Sequence, residues 1–558
     1  MKLKKITAVL MASMLVSVSV MGCSSSSSTE QSTENAGGLD AEQYYNGYLS
    51  AEPTTLDSAK ASDSYADDVI QNVLEPLARL EEDDQKKNVI KPAGAESWEV
   101  SEDGTVWTFK IRDNKWSDGV AVTAKDYEYG ITRTIDPKTG SPMAYLLSPI
   151  KNANEVNSEK LPVEELGVKA LDDKTLEITL SEPTPYFLSL TYQRVMFPQR
   201  EDVVTAQGEK YGSEAETTIY NGPFVVSKWV HNNEVVMTKN DNYWDKDTVK
   251  LNTVNYKIIS DENAILNSFE NGSIDSVGVS KVEWIEKFKS KENADYISYT
   301  NPQVNFKFFN TKNELFQNTN IRKAFALGVN REEIANVIFN GRNEAAYGWV
   351  PKNVSSGDVE YREVVEEPYQ TLKKENPDPK VLLLKGMEEL GLGTDPSKLD
   401  VTMTFGGTDQ WFRTYGEYIQ QSYKKSLGIE IKIEFLEWPV FMSNVSKGDF
   451  QIGYMGWMSE FNDPMAMLSL LKSDSTAILS GWKNDEYDKL IDQARVEMDD
   501  AKRIELYKQA EKIALYDDAV VCPTVYVKSN LFRYKYIKNM AETPFSTQGL
   551  KYVYTSGR

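Results

Sequence analysis

The chain has 558 residues, 40% of them apolar and 11% aromatic, enough for sizeable cores; at roughly 150 residues per domain it suits three or four domains or two large lobes. A formal net charge of −22 argues against nucleic acid and against an anionic membrane surface as partners. The single histidine, His231, leaves no His-rich metal site and no ready Ser–His–Asp triad, and neither a P-loop nor a G-x-G-x-x-G following a strand is present.

The chain opens on MKLKK, a positive start, followed by an apolar run from Ile6 to Val20. That run is shorter than the roughly 20 residues a membrane span needs. It ends in Val20-Met21-Gly22-Cys23, which resembles a bacterial lipobox. The resemblance implies that residues 1–22 are a lipoprotein signal peptide and that Cys23 becomes the mature N-terminus, carrying a diacylglycerol on sulfur. Two or more acyl chains are enough for stable anchoring. Residues 23–41, rich in Ser, then read as a flexible tether. The body is expected outside the bacterial cell membrane, on its extracytoplasmic face. The other cysteine, Cys522, has no partner for an internal disulfide and reads as a buried small hydrophobe.

In the body, a short strand at Leu49 leads through a Pro/Thr turn to an amphipathic helix with Val69, Val73 and Leu77 on one face, broken near Pro76. Asp103-Gly104 marks a hairpin, with Val106, Thr108 and Lys110 alternating against Trp107, Phe109 and Ile111. Asp118-Gly119 is a second turn, and Thr123 with Asp126 forms a capping-box-like helix start. His231 falls in a turn between two strands. Further on, Val381, Leu384 and Met387 form the apolar stripe of a surface helix. Residues 399–441 read strand, loop, helix, strand, a βαβ unit that favours a parallel sheet. In the stretch GYMGWMSEFNDP (Gly453–Pro464), a strand through Phe450, Ile452 and Tyr454 is broken by polar and Pro chemistry. It leaves Glu460 between Trp457, Met458 and Phe461. By itself that carboxylate is either a solvated loop acid or an anionic clamp in a half-apolar cleft. Two helices follow, one with a face of Tyr487, Leu490, Ile491, Ala494 and Met498, the next with Ile504, Tyr507, Ala510 and Ala514.

The run Ala95–Tyr127 resembles the signature region of bacterial extracellular solute-binding proteins of the peptide/nickel class, the binding components of oligopeptide ABC transporters. Trp98, Asp103, Gly104, Trp107, Phe109 and Arg112 carry it, with Trp116, Ser117, Asp118, Gly119, Thr123, Ala124 and Asp126. Leu166–Phe187, Asn221–Asp245, Asn310-Thr311 with the helix after it, and Gly348–Pro351, similar to the family's lip loop, continue the likeness. The resemblance implies an α/β, periplasmic-binding-protein-like type II fold. Two lobes are joined by two crossover strands, hinged near 302 and 527, with an extra domain inserted in the first lobe. Lobe one would take 42–74, 199–302 and 527–558, the inserted domain 75–198, and lobe two 303–526.

A receptor for varied peptides must grip what all peptides share: the α-ammonium, the main chain and the extended shape. Oligopeptide-binding members of the family pair the ammonium with an aspartate in a W-x-x-D-Y-N-x-P setting. Trp457, Asn462 and Pro464 match it, while Glu460 replaces the aspartate and Phe461 the tyrosine. The resemblance thus assigns the clamp to Glu460, with Asp463 or another acid as the alternative. It places Trp457 at a pocket wall, Tyr526 near a crossover strand and the cleft, and Ser62 and Ser64 in a backbone segment facing the peptide. Trp411 and Arg413 are candidates for the peptide's far end, Arg413 for its C-terminal carboxylate. No cofactor, metal or catalytic residue is implied, and a monomer is expected. The partners would be an oligopeptide ligand and ABC permease subunits with cytoplasmic ATPases. A nickel chelate, oligosaccharide or signalling peptide on the same fold is the alternative ligand; a surface hydrolase or adhesin is the alternative class.

Overall fold

Alternation sets the first element: in β1 (Tyr44–Leu49) Tyr45 and Leu49 point inward while their neighbours are half-exposed. The computed structural model describes residues 38–83, 87–542, 545 and 549–558. The expected signal peptide, Cys23 and the tether up to residue 37 lie outside the described residues. Helix α1 (Ser64–Val73) starts where the Asp63 side chain accepts from the Ala66 N–H, and ends at Leu74, whose backbone is extended. The sequence places Leu77 on this helix. Leu77 is buried but lies outside it, because Pro76 keeps the residue before it out of the helical region.

The strands β2 (Ala78–Glu82), β3 (Asn88–Pro92), β4 (Ala95–Val100) and β5 (Val106–Ile111) follow. The β4–β5 hairpin turns at Asp103-Gly104 as its sequence predicts, with Gly104 at φ +72°, where a side chain would be strained. Helix α2 (Ala124–Ile135) opens on the expected capping box, the Thr123 N–H donating to Asp126 Oδ2 at 2.7 Å. With β6 (Val168–Asp172) and β7 (Thr175–Thr179) the sheet β4-β5-β7-β6 is complete and antiparallel.

A second sheet, β1-β10-β9-β8, uses β8 (Phe224–Val230), β9 (Glu234–Lys239) and β10 (Thr253–Ile258). His231 occupies the β8–β9 turn, its Nδ1 2.8 Å from Glu52 Oε1. The third sheet is the largest. It is built from β11 (Ser276–Gly278), β12 (Ala294–Phe309), β13 (Glu344–Ala345), and, after a small hairpin of β14 (Ser355–Ser356) and β15 (Val359–Glu360), from β16 (Thr402–Phe405), β17 (Lys432–Phe435), β18 (Ile452–Met458) and β19 (Val521–Tyr534). Its order is β11-β19-β12-β18-β16-β17, with β13 on β19. β16, the helix Gln410–Leu427 and β17 form the predicted βαβ unit, and β16 is parallel to β17 and β18.

One apolar core surrounds this sheet and is made entirely of residues between Val304 and Tyr526. A second is shared by the first two sheets, and a third, smaller one joins Ile265–Phe288 to Phe532 and Tyr534. Between the lobes run β12 and β19, paired antiparallel, with a register break between Thr300 and Val304 around Pro302.

Three local readings change. The helix Pro379–Glu389 buries Leu383, Gly386 and Met387, while Val381 is exposed. Gly386 sets this phase, since a Cβ there would sit 2.5 Å from the Ile321 side chain. Met498 lies past the end of the helix Asp485–Val496 and is exposed. Gly348–Pro351 is no lip: Trp349 is fully buried, and the Trp349 and Val350 N–H groups donate to Glu511 Oε1 at 2.7 and 3.0 Å.

Candidate functional site

Three parallel strands, β16, β17 and β18, release their C-terminal ends at one edge of the large sheet, the place where open α/β sheets bind ligands. β16 pairs with β18 only along Ile452–Tyr454. Beyond that point the Gly456–Met458 segment has β12 on one side and, among the described residues, no strand on the other. This leaves a short run of free main-chain donors and acceptors facing the interlobe cleft, suited to an added strand.

The loop after β18 is held from several directions. The Ser459 N–H donates to the Pro302 carbonyl at 2.7 Å and the Ser459 hydroxyl to the Phe461 carbonyl at 2.9 Å. Asn462 Oδ1 accepts from the Ser355 N–H at 2.8 Å. Asp463 turns inward, where it meets Arg503 at 2.5 Å, accepts from the Tyr507 hydroxyl at 2.9 Å and caps Met465 N–H at 2.9 Å. Phe461 stacks on Tyr186 with centroids 4.7 Å apart, tying the loop to the other lobe. With those anchors in place, Glu460 is the loop side chain left to face the cleft.

Glu460 lines a cavity of about 600 Å³ together with Met458, Ser459, Asp67, Gln71 and Tyr192, so both lobes contribute walls. Its Oε1 accepts from the Tyr145 hydroxyl at 3.2 Å. Among the described residues no cation lies within ion-pair distance of it. Other charges in the wall are matched: Arg79 by Glu75 at 2.5 Å, Lys551 by Asp245 at 2.8 Å, Lys91 by Glu81 at 3.5 Å, and Asp67 by Arg194. Burial raises the Glu460 carboxyl above the usual glutamate range, with the Tyr145 hydrogen bond opposing more weakly. Burial and then the Glu460 charge push the Tyr145 phenol up to about 12, so it is a donor at neutral pH. An unpaired carboxylate in crowded surroundings favours a cation that brings its own hydrogen-bond donors.

A second cavity, of about 540 Å³, lies across the sheet and is lined by Gln303, Asn305, Trp411, Phe339, Arg342 and residues of β19. Gln303 is the direct strand partner of Met458, so the two cavities adjoin through that pair.

The structure brings Glu460 and Trp411 to these cavities. Trp457 is half-buried on β18, and Ser62 and Ser64 are exposed at the start of α1, one turn before Asp67. Others sit elsewhere. Asp463 is consumed by its buried ion pair. Asn462 braces the loop. The Tyr526 hydroxyl donates to Glu367 Oε1 at 2.6 Å inside the second lobe. Arg413 is exposed on the helix Gln410–Leu427, its guanidinium 5.2 Å from the Phe435 ring centroid, and lines neither cavity. Tyr454 is buried in the core against Tyr415 and Phe405.

Sequence reasoning missed Tyr145, whose hydroxyl meets Glu460. Tyr145 comes from a short turn of the other lobe, and no local pattern marks it.

Residues 89–477 match the model for bacterial extracellular solute-binding proteins, family 5. The dipeptide-binding protein DppE of Bacillus subtilis is 34% identical over 90% of this chain and 90% of its own length. The oligopeptide-binding protein OppA of the same organism is 32% identical over 85% of this chain and 86% of its own. Among solved structures, the murein tripeptide-binding protein MppA in its unliganded open form aligns with a TM-score of 0.80 at 27% identity, covering 93% of this chain and 98% of that one. OppA of Listeria monocytogenes bound to peptide aligns with a TM-score of 0.71 at 31% identity, covering 93% and 100%.

Proposed function

The chain belongs to the bacterial extracellular solute-binding proteins of family 5, and from that premise we propose that it binds oligopeptides in the interlobe cleft and hands them to an ABC permease. One observation carries the reading: Glu460, a carboxylate without a cation partner among the described residues, stands just past the free edge of β18. In this reading the peptide α-ammonium pairs with Glu460, while its main chain adds to Met458 and Gly456 as an extra strand. Tyr145 holds the Glu460 carboxylate from the opposite lobe, so the same carboxylate touches both lobes and the ligand. The nearer fit to an unliganded open form than to a peptide-bound relative suits a cleft waiting to close.

We take the lobes to divide near 302 and 527, and Cys23 to carry the lipid anchor that keeps the receptor beside its permease. The activity is binding without turnover. The test is calorimetric titration with short peptides bearing free α-amines, followed by mass spectrometry of the recovered ligand. Saturable binding with the peptide recovered intact is expected. No binding across a varied peptide set, or cleavage of the peptide, contradicts the proposal.

A further inference from the structure

Residues 181–187, SEPTPYF, form a stiff segment. Pro183 and Pro185 fix their own φ and restrict the residues before them. Both ends are rooted. The Leu180 and Ser181 N–H groups donate to the Thr105 and Pro149 carbonyls at 2.7 and 2.9 Å, and the Phe187 N–H donates to the Thr184 carbonyl at 3.0 Å. Phe187 is fully buried in the core shared by the first two sheets. A segment held this way presents Glu182 and Tyr186 at set places, with little left to order when they meet a partner.

Both side chains land on lobe two. Tyr186 and Phe461 stack with their planes 17° from parallel, and each ring packs against both of the larger cores. Glu182 pairs with Arg495, in the last turn of the helix Asp485–Val496. Asp492, a second acid 3.9 Å from Arg495, is already taken by Lys472 at 2.8 Å. Alongside, a Cβ at Gly104 would lie 3.3 Å from Pro183 Cβ and 3.5 Å from Met498 Sδ, so the exposed Met498 side chain reaches the β4–β5 turn. The lobe-two side acts as one unit, because Arg503 donates to Asp463, two residues past Phe461, at 2.5 Å and to the Ala494 carbonyl, next to Arg495, at 3.4 Å. Glu182, Tyr186, Arg495 and Met498 line neither cavity, so this contact lies beside the cleft and not in it.

We propose that residues 181–187 are a clasp: a connection between the lobes, additional to the crossover strands, that stays made in the unliganded receptor and limits how far the cleft opens. The aromatic stack carries it and the Glu182–Arg495 pair tightens it. A cleft kept from opening wide has less closing to do when a ligand arrives, which lowers the conformational cost of binding whatever the ligand is.

The test is small-angle X-ray scattering from the ligand-free full chain at low and high salt, with the thermal midpoint of each variant as its fold check. Glu182→Gln and Arg495→Gln change half-exposed side chains and should keep the wild-type midpoint. Each should raise the radius of gyration at low salt, and the double variant should show no larger shift than either single change, because the two act through one contact. High salt should move the wild-type radius toward that of Arg495→Gln and leave the variant where it was. Tyr186→Ala should enlarge the radius at both salt concentrations. Glutamine variants that match the wild-type radius at low salt, or single shifts that add in the double variant, overturn the clasp. No peptide enters the measurement, so its outcome is separate from the success or failure of the peptide-binding reading.

Discussion

At the scale of single residues, two neighbouring acids have opposite fates. Glu460 and Asp463 are three positions apart, yet one faces a cavity and the other is sealed against Arg503 and Tyr507. Removing one partner of a buried pair leaves an uncompensated charge, which costs about 3–5 kcal/mol. Asp463→Ala should therefore lower the thermal midpoint strongly, whereas Glu460→Gln should leave it nearly unchanged. Similar midpoints for the two variants would contradict these placements. A second buried charge has no acid at all among the described residues. Lys307 donates to Tyr423 at 2.5 Å and to the Phe325 carbonyl at 3.3 Å. Burial pulls its ammonium down to about 8, Cys522 opposing and Arg331 adding to the shift. A lysine depressed in the folded state costs stability, fully so below pH 8, and that cost is relieved as pH rises from 8 toward the ordinary value of 10.5. Lys307→Met should accordingly raise the midpoint at pH 7, and its advantage should shrink toward pH 10. A lower midpoint at pH 7 would show that the ammonium contributes net stability.

At the scale of elements, the site depends on where β18 loses its second neighbour. Gly456 sits on that edge, and a Cβ there would lie 2.5 Å from Asn305 Oδ1 and 3.3 Å from Gln303 Nε2. Those are side-chain ends that can shift, so Gly456→Ala should fold. It would also crowd the face along which a peptide must lie, and peptide affinity should drop about tenfold or more in titration while the melting curve barely moves. Unchanged affinity would mean that the ligand does not follow this edge. The strands and turns here were largely legible, because period-two alternation in β5 and the Asp103-Gly104 turn are local signals. The βαβ unit and the capping box at Thr123 were legible for the same reason. What failed was phase and placement. Gly386 in the helix Pro379–Glu389 rotates its buried face because a close neighbour, Ile321, arrives from distant sequence. Tyr526 and Asn462 carry the right residue types for a ligand site, but their partners, Glu367 and Ser355, decide where they point. The residues around Glu460 left it open between a solvated acid and a clamp, and only the family resemblance singled it out; Tyr145, which meets it from distant sequence, is invisible without the fold.

At the scale of the molecule, three contacts between the lobes outside the crossover strands gather at one place. Tyr186 stacks on Phe461, Glu182 pairs with Arg495, and Tyr145 reaches Glu460. The first two come from Leu166–Phe187, a segment that resembled the oligopeptide-binding members; here it works as an interlobe contact beside the site. The lobes themselves are woven from separate stretches of chain, which contiguous reading could not reveal. The account's central claim is that the Glu460 carboxylate recognises a peptide α-ammonium. It is tested most directly by calorimetric titration of one short peptide, free and N-acetylated, into wild-type protein and Glu460→Gln. The account predicts that acetylation costs about 2–5 kcal/mol in the wild-type protein and almost nothing in the variant, whose affinity for the free peptide is already reduced by a similar amount. Equal binding of free and acetylated peptide by the wild-type protein, or an acetylation penalty undiminished in Glu460→Gln, would contradict it.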